Sequence, residues 1–420
     1  MLDVFEGVVY YNIIQGFCFM GKQKNKNKFC KKPTVLFPRF RRELDYSRKA
    51  INMRCDWLEQ KTDTKIKYLR NFSENPGNTR GNIENIIGMA QVPVGINGPL
   101  LVNGSYAKGS FFIPMASTEG ALITDYNTGM IIITKSGGAR VKILNEAIHI
   151  SPVFFVSTLD QAEGFICYIK KHFQKIKNVA ESTTKHGKLL SIEPYLVGRR
   201  VILKFLYNTG DAQGLNMINK ATDEACKYIS DVTGKKYYLR SKFSSIKTVS
   251  MSNIYNGYGK ALFAECVVSK SILKFLGTTA DEIYQYAVSG MLVSIYAGIV
   301  GVTAHIANAI AAIYIACGQD VADVSTSHIG ITACELTEEK DLYISLYIPN
   351  LLIGTVGGGT GLSTQRECLE IMGCYGKDKS NKFAEIIAAS CLAGEISVLI
   401  ALVTGAYVKA HEVLGRNKIL

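Results

Sequence analysis

Three residues are singled out as candidates for acid–base catalysis: Glu119, Asp320 and His411. We predict that a helix begins near Ser117; its dipole would favour an ionised Glu119, whereas burial among apolar neighbours would favour the neutral acid, a proton donor. Asp320 ends a long uncharged segment, and His411 lies alone on a predicted final helix. Taken alone, each of these residues more often has a structural role, as a helix cap, a helix terminus or a packed histidine.

One of two glycine-containing segments suits an anion site, and the other can be compared with a dinucleotide-binding motif. The segment NTGDAQG (208–214) lies between a predicted strand and a predicted helix. Such a loop can cradle a phosphate, because its amides and the helix N-terminus point at the ligand. The second segment, GTVGGGTG (354–361), does not match G-x-G-x-x-G, because position 356 is valine. Without a Rossmann fingerprint, any dinucleotide site must be built in another way.

The elements that would position these residues follow from apolar periodicity and turn residues. We predict a helix over Asp45–Leu69, strands joined by tight turns within 84–112, a strand at DLYISLYIP and a final helix over Ala384–Val413. The predicted segments are a basic arm and helical region (1–83), the first part of a large domain (84–151), a small domain (152–248), a short connection (249–253) and the second part of the large domain (254–420).

The charge of the chain is unevenly distributed. The formal net charge is +13, and residues 22–49 hold eleven lysines and arginines against two acidic residues. Such a run can bind nucleic acid or an anionic membrane. Its KNKNK stretch lacks the interleaved aromatic residues and glycines of a nucleic-acid module, so we interpret it as a solvated linker. With 47% hydrophobic residues, the chain as a whole is typical of a globular protein.

One uncharged segment has the hydropathy of a membrane helix. Residues 283–319 contain no Asp, Glu, Lys or Arg, but they include Gln285 and many small residues, which favour a helix buried in a protein core. The apolar stretch Val8–Met20 is too short to span a bilayer. We therefore predict no membrane segment within this chain. Eleven cysteines without a CxxC pair indicate reduced thiols and no metal site.

Eight segments, taken in order, resemble 3-hydroxy-3-methylglutaryl-CoA (HMG-CoA) reductase, most closely its eukaryotic and archaeal class. The resemblance covers about residues 80–418. The segments are ENIIGMAQVPVGINGPL (84–100), PMASTEG (114–120), TGDAQGLNM (209–217), AHIAN (304–308), IYIACGQD (313–320), DLYIS (341–345), IGTVGGGTGL (353–362) and YVKAH (407–411).

The resemblance implies a reaction and an architecture. HMG-CoA would be reduced by two NADPH, through a hemithioacetal and an aldehyde, to mevalonate and free CoA. The implied fold is α+β: a large helix-rich domain with a long central buried helix, and an inserted small ferredoxin-like cofactor domain. The family forms homodimers, or dimers of dimers, with active sites at the subunit interface. The implied location is cytosol-facing, at the endoplasmic reticulum membrane if a parent protein carries the family's membrane domain.

The resemblance also implies roles for individual residues. The catalytic positions are Glu119, Asp320 and His411. The cofactor positions are Asp211, Gln213, Gly214, Asn216, Met217, Val356, Gly357, Gly358 and Gly359. The substrate positions are Glu84, Asn85, Ser250, His305 and Asn308.

The sequence departs from the family at its cationic positions. The family carries an Asp-Lys-Lys loop after the small domain, and its first lysine stabilises the oxyanion. The segment KTVSMSNIYNGYGK (247–260) predicts that this loop is missing here, and Ile150, Val288 and Thr128 stand where the family has cations. Loss of one oxyanion donor costs about 2.7–4 kcal/mol. Three alternatives stay open: Lys247 or Lys260 substitutes, the chain is a catalytically impaired relative, or the gene model is incomplete.

Overall fold

The structure is a computed structural model, and it describes residues 38, 40, 44–410 and 412–413. Most of the basic segment 22–49 lies outside the described residues. The helices are α1 (Arg48–Thr62), α2 (Leu122–Lys135), α3 (Leu159–Lys171), α4 (Phe173–Glu181), α5 (Leu215–Thr233), α6 (Met251–Asn256), α7 (Lys270–Phe275), α8 (Ala280–Tyr296), α9 (Ile306–Ala316), α10 (Val324–Ser327), α11 (Ser363–Ile371), α12 (Ser380–Val403) and α13 (Ala406–Ala410). The strands are β1 (Val94–Gly104), β2 (Lys108–Ala116), β3 (Ala139–Ile150), β4 (Val153–Phe155), β5 (Lys188–Val197), β6 (Arg200–Asn208), β7 (Tyr237–Tyr238), β8 (Gly259–Val268), β9 (Ile331–Leu336) and β10 (Leu342–Leu351).

Two sheets share strand β3. In the first sheet the order is β2-β1-β3-β8-β10-β9, antiparallel except where β1 and β3 run parallel. The last residues of β3, Ile148–Ile150, leave β8 and pair with β6. In the second sheet the order is β7-β4-β6-β5, and every neighbouring pair is antiparallel.

The second sheet has ferredoxin-like connections. Helices α3 and α4 connect β4 to β5, and α5 connects β6 to β7, so the chain order is βαββαβ with the strand order given above. Its apolar side chains form a hydrophobic cluster of their own, which includes Phe154, Phe205 and Ile229. This arrangement agrees with the predicted α+β class and ferredoxin-like unit.

A second, larger hydrophobic cluster includes side chains of the first sheet, and α12 is its central helix. Every residue from Phe383 to Ile400 is buried. This is expected of a helix that has apolar residues on every face, because each face must then pack against other parts of the protein. Helix α2 crosses it closely at Gly129, where an added Cβ atom would lie 1.8 Å from the carbonyl oxygen of Ala393. Among the described helices, α12 is long and apolar enough to cross a membrane, and 83% of its most apolar window is buried inside the protein.

The uncharged segment 283–319 does not form one buried helix. Gly298 and Gly301, both with positive φ, interrupt it between α8 and α9. Helix α9 is buried as predicted. Helix α8 is not: the exposed fraction of Leu292 is 60% and that of Tyr296 is 95%. The prediction of a core helix is therefore wrong for α8, because hydropathy does not report which apolar face has a partner within the same chain.

Candidate active site

Three of the predicted site residues line one cavity. Glu119, His305 and Asn308 face a space of about 690 Å³ between α2, α8 and the C-terminal half of α12. Most of the other residues that line it are apolar or carry hydroxyl groups, and Asp125 and Glu395 add two carboxylates. The cavity is therefore large enough for part of a substrate, and it contains acids suited to proton transfer.

Glu119 lies in a bend before α2, not in the first turn of a helix. Helix α2 begins at Leu122, and its N-cap, Ala121, has a positive φ of 72° and no side-chain cap. The hydroxyl of Ser117 instead accepts a hydrogen bond from the backbone N–H of Glu119, at 3.0 Å. The predicted helix start near Ser117 is wrong, because this polar turn satisfies the backbone before the helix begins. Glu119 is exposed and projects from a loop.

His305 is held by contacts on several sides. Its Nε2 atom lies 3.1 Å from Oδ2 of Asp125, and its backbone carbonyl accepts a hydrogen bond from the hydroxyl of Tyr126 at 2.8 Å. Burial alone would lower the pKa of His305, but the hydrogen bond and charge of Asp125 outweigh it and raise the pKa above 6.5. The imidazole is therefore biased toward its charged form.

A buried carboxylate of α12 positions the same segment. Glu395 is 1% exposed and accepts hydrogen bonds from the backbone N–H groups of Ala304 and His305 and from the hydroxyl of Thr332. The Thr332 contact is 2.6 Å. These donors satisfy the hydrogen-bonding capacity of the buried carboxylate. Glu395 therefore holds in place the backbone segment that carries His305 and Asn308.

Asp320 does not line this cavity. It lies in the aspartate turn, residues 318–323, which follows α9, and its Oδ1 accepts a hydrogen bond from the backbone N–H of Ala322. Its other oxygen lies 2.6 Å from the ammonium nitrogen of Lys247. Both side chains are accessible, with exposed fractions of 44% for Asp320 and 40% for Lys247. A carboxylate and a lysine are thus paired at the surface, open to a ligand.

The 208–214 loop and the glycine loop, residues 354–361, lie against each other. The backbone N–H of Thr355 donates to the carbonyl of Asp211 at 2.8 Å. An added Cβ atom on Gly354 would lie 2.7 Å from the backbone nitrogen of Gln213. The loop that composition marked as a possible anion cradle and the second glycine cluster are therefore brought together, although 140 residues separate Gly214 from Gly354.

The glycine loop also contacts the aspartate turn. The backbone N–H of Gly354 donates to the side-chain oxygen of Gln319 at 2.8 Å. Gly318 has a positive φ of 67°, and a Cβ atom on it would lie 2.3 Å from the carbonyl oxygen of Gly359. Only glycine fits this approach. Asp320 is thereby placed beside both glycine-containing loops.

The predicted cofactor residues have different environments. Burial opposes ionisation of Asp211, but backbone N–H groups of residues 378–380 outweigh it and hold its pKa below the usual value. Asp211 therefore anchors the loop to the start of α12. Asn216 is exposed in the first turn of α5, whereas Met217 is half-buried against Thr184. Gly357 and Gly358 are exposed, and Val356 and Gly359 are half-buried.

The remaining predicted substrate residues lie outside the cavity. Ser250 caps α6, where its hydroxyl accepts from the backbone N–H of Ser252. Glu84 and Asn85 are exposed in the segment before β1. His411 lies outside the described residues. In the described part of the chain, no three His, Cys, Asp or Glu residues cluster as metal ligands would.

The positions that depart from the family offer no cation. Ile150 is fully buried in the apolar cluster of the second sheet. Thr128 lines the cavity, and its hydroxyl donates to the carbonyl of Thr124. Val288 is half-buried on α8. Lys260 is occupied elsewhere, by Glu146 at 2.7 Å and by Asn381.

The structure adds residues that sequence reasoning had not assigned. Lys247 was one of two lysines considered as a substitute for the family's lysine, and the structure adds its contact with Asp320. Its one signal was its place three residues before Ser250, in the segment where a catalytic lysine was expected. Asp125, Glu395 and Asp323 had no signal, because each acts through a contact with a residue far away in the sequence.

Comparisons with known proteins agree with this geometry. Residues 50–416 match the family model described as hydroxymethylglutaryl-coenzyme A reductase. The chain is 42% identical over 386 residues to the 3-hydroxy-3-methylglutaryl-coenzyme A reductase of Methanocaldococcus jannaschii, covering 88% of this chain and 94% of that protein. It is 40% identical to the Aeropyrum pernix enzyme, covering 90% and 92%.

More distant relatives share part of their length or only their fold. The Xenopus laevis enzyme is 34% identical, and the match covers 80% of this chain but 39% of that protein. A structure of the Streptococcus pneumoniae enzyme has a TM-score of 0.63 at 16% identity, covering 84% of this chain and 96% of that one. The match over nearly the whole length, with the predicted loops assembled around Asp320, leads to one conclusion. The chain belongs to the hydroxymethylglutaryl-coenzyme A reductase family.

Proposed function

We propose that the residues described above carry out the reaction of the family, the NADPH-dependent reduction of HMG-CoA to mevalonate and CoA. The observation that carries this proposal is the contact of 2.6 Å between Lys247 and Asp320. It supplies the lysine beside a catalytic carboxylate that the reaction needs. The impaired-relative alternative is not favoured, because its main argument was the absence of such a lysine.

The chemistry explains why a lysine is needed there. Hydride addition to the thioester carbon creates an oxyanion, which a nearby ammonium group stabilises. Lys247 is placed for this role, and Asp320 orients it. The first reduction gives a hemithioacetal, which releases CoA as a thiolate and leaves an aldehyde. A second hydride and a proton convert the aldehyde to the alcohol, and the released thiolate takes up a further proton that the resemblance assigns to His411.

The two glycine-containing loops fit a dinucleotide. Bound NADPH supplies the hydride. The N-cap of helix α5 is Gly214, which offers no side-chain cap, and the first turn of the helix has no acidic residue. The first N–H groups of α5 are therefore suited to a phosphate. Cβ atoms added to Gly357 and Gly358 would meet no atom within 4 Å, so their backbones face open space. We assign cofactor binding to these loops and to a small domain over 152–248, with the predicted 249–253 connection leading back to the large domain.

The cavity has few positive groups to bind an anionic substrate. None of the described residues that line it is lysine or arginine, whereas Glu119, Asp125 and Glu395 are acidic. His305, biased toward its charged form by Asp125, is the positive group at this surface. Further positive charge must come from outside the cavity, and Lys247 is exposed and carries it.

A second copy of the chain supplies this charge if the active site lies between subunits. Helix α8, with its exposed apolar side chains, borders the cavity through Tyr286 and Gly290. Burying this face against a second copy would remove apolar surface from water. We therefore infer a homodimer, or a dimer of dimers, in which Glu119 of one protomer works with Lys247 and Asp320 of the other. The described cysteines are all free, which fits a cytosol-facing location.

Mixing two inactive variants tests the shared site. Glu119→Gln and Lys247→Met are each expected to lose activity, measured as loss of nicotinamide absorbance with HMG-CoA and NADPH. After the two variants are unfolded and refolded together, a shared site restores roughly a quarter of wild-type activity, because half of the dimers are mixed and each mixed dimer has one intact site. No recovery would show that each site lies within one chain. A wild-type protein without turnover would refute the proposed reaction itself.

A further inference from the structure

The aspartate turn carries two carboxylates in opposite environments. Asp320 is exposed and paired with Lys247, whereas Asp323, three residues later, is 1% exposed. The reaction described above uses the first and gives no role to the second. A buried carboxylate is costly unless its environment compensates for the lost water, so its presence here needs an explanation.

Asp323 is linked to the cofactor loop, residues 208–214. The side-chain amide of Gln213 donates a hydrogen bond to Oδ2 of Asp323. Gln213 lies where the loop meets the glycine loop, since its backbone nitrogen packs on Gly354. This one contact therefore ties the loop assigned to the cofactor to the turn that carries the catalytic Asp320.

The carboxylate of Asp323 is only partly hydrogen-bonded. The other oxygen of Asp323, Oδ1, is buried and has no hydrogen-bond partner among the described residues. Burial, and then the charge of Asp320, raise the pKa of Asp323 to about 6, while Gln213 and Lys247 act in the opposite direction. The other titratable groups that face it are Tyr258 and Tyr314, whose own pKa values burial and the charge of Asp323 raise. The carboxyl therefore changes charge close to neutral pH.

We propose that Asp323 is a positioning residue for cofactor binding: its contact with Gln213 holds the cofactor loop against the aspartate turn, more tightly when the carboxylate is ionised than when it is neutral. The physical reason is that a hydrogen bond to a charged acceptor is about twice as strong as one to a neutral acceptor. The inference rests on the proposed cofactor role of the loop. It predicts that NADPH binding weakens as Asp323 takes up a proton.

The test compares NADPH dissociation constants from pH 5.5 to pH 8, read from nicotinamide fluorescence. Asp323→Asn keeps the shape of the side chain but cannot ionise, and Gln213→Leu removes the donor. The matched control is Asp231→Asn, which removes an exposed carboxylate on α5. Because the phosphate of the cofactor itself titrates near pH 6, the measured quantity is the ratio of variant to wild-type constants at each pH.

At pH 8 we expect Asp323→Asn and Gln213→Leu each to bind NADPH about fivefold more weakly than wild type. At pH 5.5 the Asp323→Asn ratio should fall to about two, because about three quarters of the wild-type carboxyl is then neutral. The double variant should be no weaker than the weaker single variant, since both remove one contact. The control ratio should stay at one throughout.

Two outcomes overturn the inference. One is an Asp323→Asn protein that binds NADPH as wild type does at pH 8, with circular dichroism showing it folded. The other is a weakened variant whose ratio does not change with pH, which marks a purely structural role. If Asp323→Asn does not fold, the same two criteria apply to Gln213→Leu, whose ratio to wild type should also fall toward one at pH 5.5. Wild-type protein that binds no NADPH at any pH would instead refute the proposed cofactor site, and the inference with it.

Discussion

Replacing Lys247 by methionine removes the ammonium group but keeps the length of the side chain, so it tests the charge directly. Lys247 has a positive φ of 53°. Methionine bears the same backbone cost there as lysine, because both have a Cβ atom. Any change in rate or stability then reports the lost contact with Asp320, not altered backbone strain.

The structure separates the expected effects on stability and on rate. The two side chains are 40% and 44% exposed, and a solvent-exposed ion pair of this kind contributes about 0–1 kcal/mol to folding. An oxyanion donor contributes about 2.7–4 kcal/mol in the transition state, or 10²–10³ in rate. Lys247→Met should therefore lower kcat by that factor while the free energy of unfolding changes by less than about 1 kcal/mol.

The assay is steady-state NADPH oxidation with saturating HMG-CoA, alongside urea denaturation. The matched control is Lys227→Met on α5, because Lys227 is also exposed and paired with carboxylates, Asp223 at 2.8 Å and Glu224 at 2.9 Å. The control should keep wild-type kcat. A folded Lys247→Met protein with kcat within a factor of about three of wild type would refute the reasoning, because no oxyanion donor is that dispensable.

Three further predictions follow from packing and charge. Gly129→Ala should lower the free energy of unfolding by about 3 kcal/mol or more, because its Cβ atom meets the Ala393 backbone. Its control, Gly164→Ala on α3, has open space around it and should raise the free energy of unfolding by about 0.5–1 kcal/mol. Equal effects of the two substitutions in urea denaturation would contradict the α2–α12 packing. Burial raises the pKa of Asp323 from 3.8 to about 6, so the unfolded chain releases this proton before the folded chain does as the pH rises. The free energy of unfolding of the wild type should therefore fall by about 2–3 kcal/mol between about pH 4 and 6, relative to that of Asp323→Asn. A difference between the two free energies that does not change with pH would contradict this. Asp125→Asn should lower the pKa of His305, measured by NMR titration, because Asp125 holds it up against burial; an unchanged pKa would show that other groups set it.

The family and the order of the elements can be read from the sequence alone. Its eight segments are short runs of neighbouring residues, so they can be recognised without knowing which residues meet in space. The family resemblance anticipated the ferredoxin-like unit. Local reasoning marked the 208–214 loop as a possible anion cradle, and that role stays a prediction. Local reasoning failed at the start of α2, because a polar turn around Ser117 precedes the helix, which begins at Leu122. It also failed on α8, whose apolar residues are exposed.

Which residues act together follows only from the packing of the chain. Lys247 meets Asp320 across 73 residues, and Gln213 meets Asp323 across 110. No periodicity reports such contacts, because they depend on how the shared strand β3 sets the second sheet against the first. The fold also shows that Glu119 and Asp320 do not line the same cavity of one chain. The sequence thus indicates the reaction through the family, whereas only the packed chain shows which charges are near enough to act together. The reason is that electrostatic and hydrogen-bond energies depend on distance and burial in space.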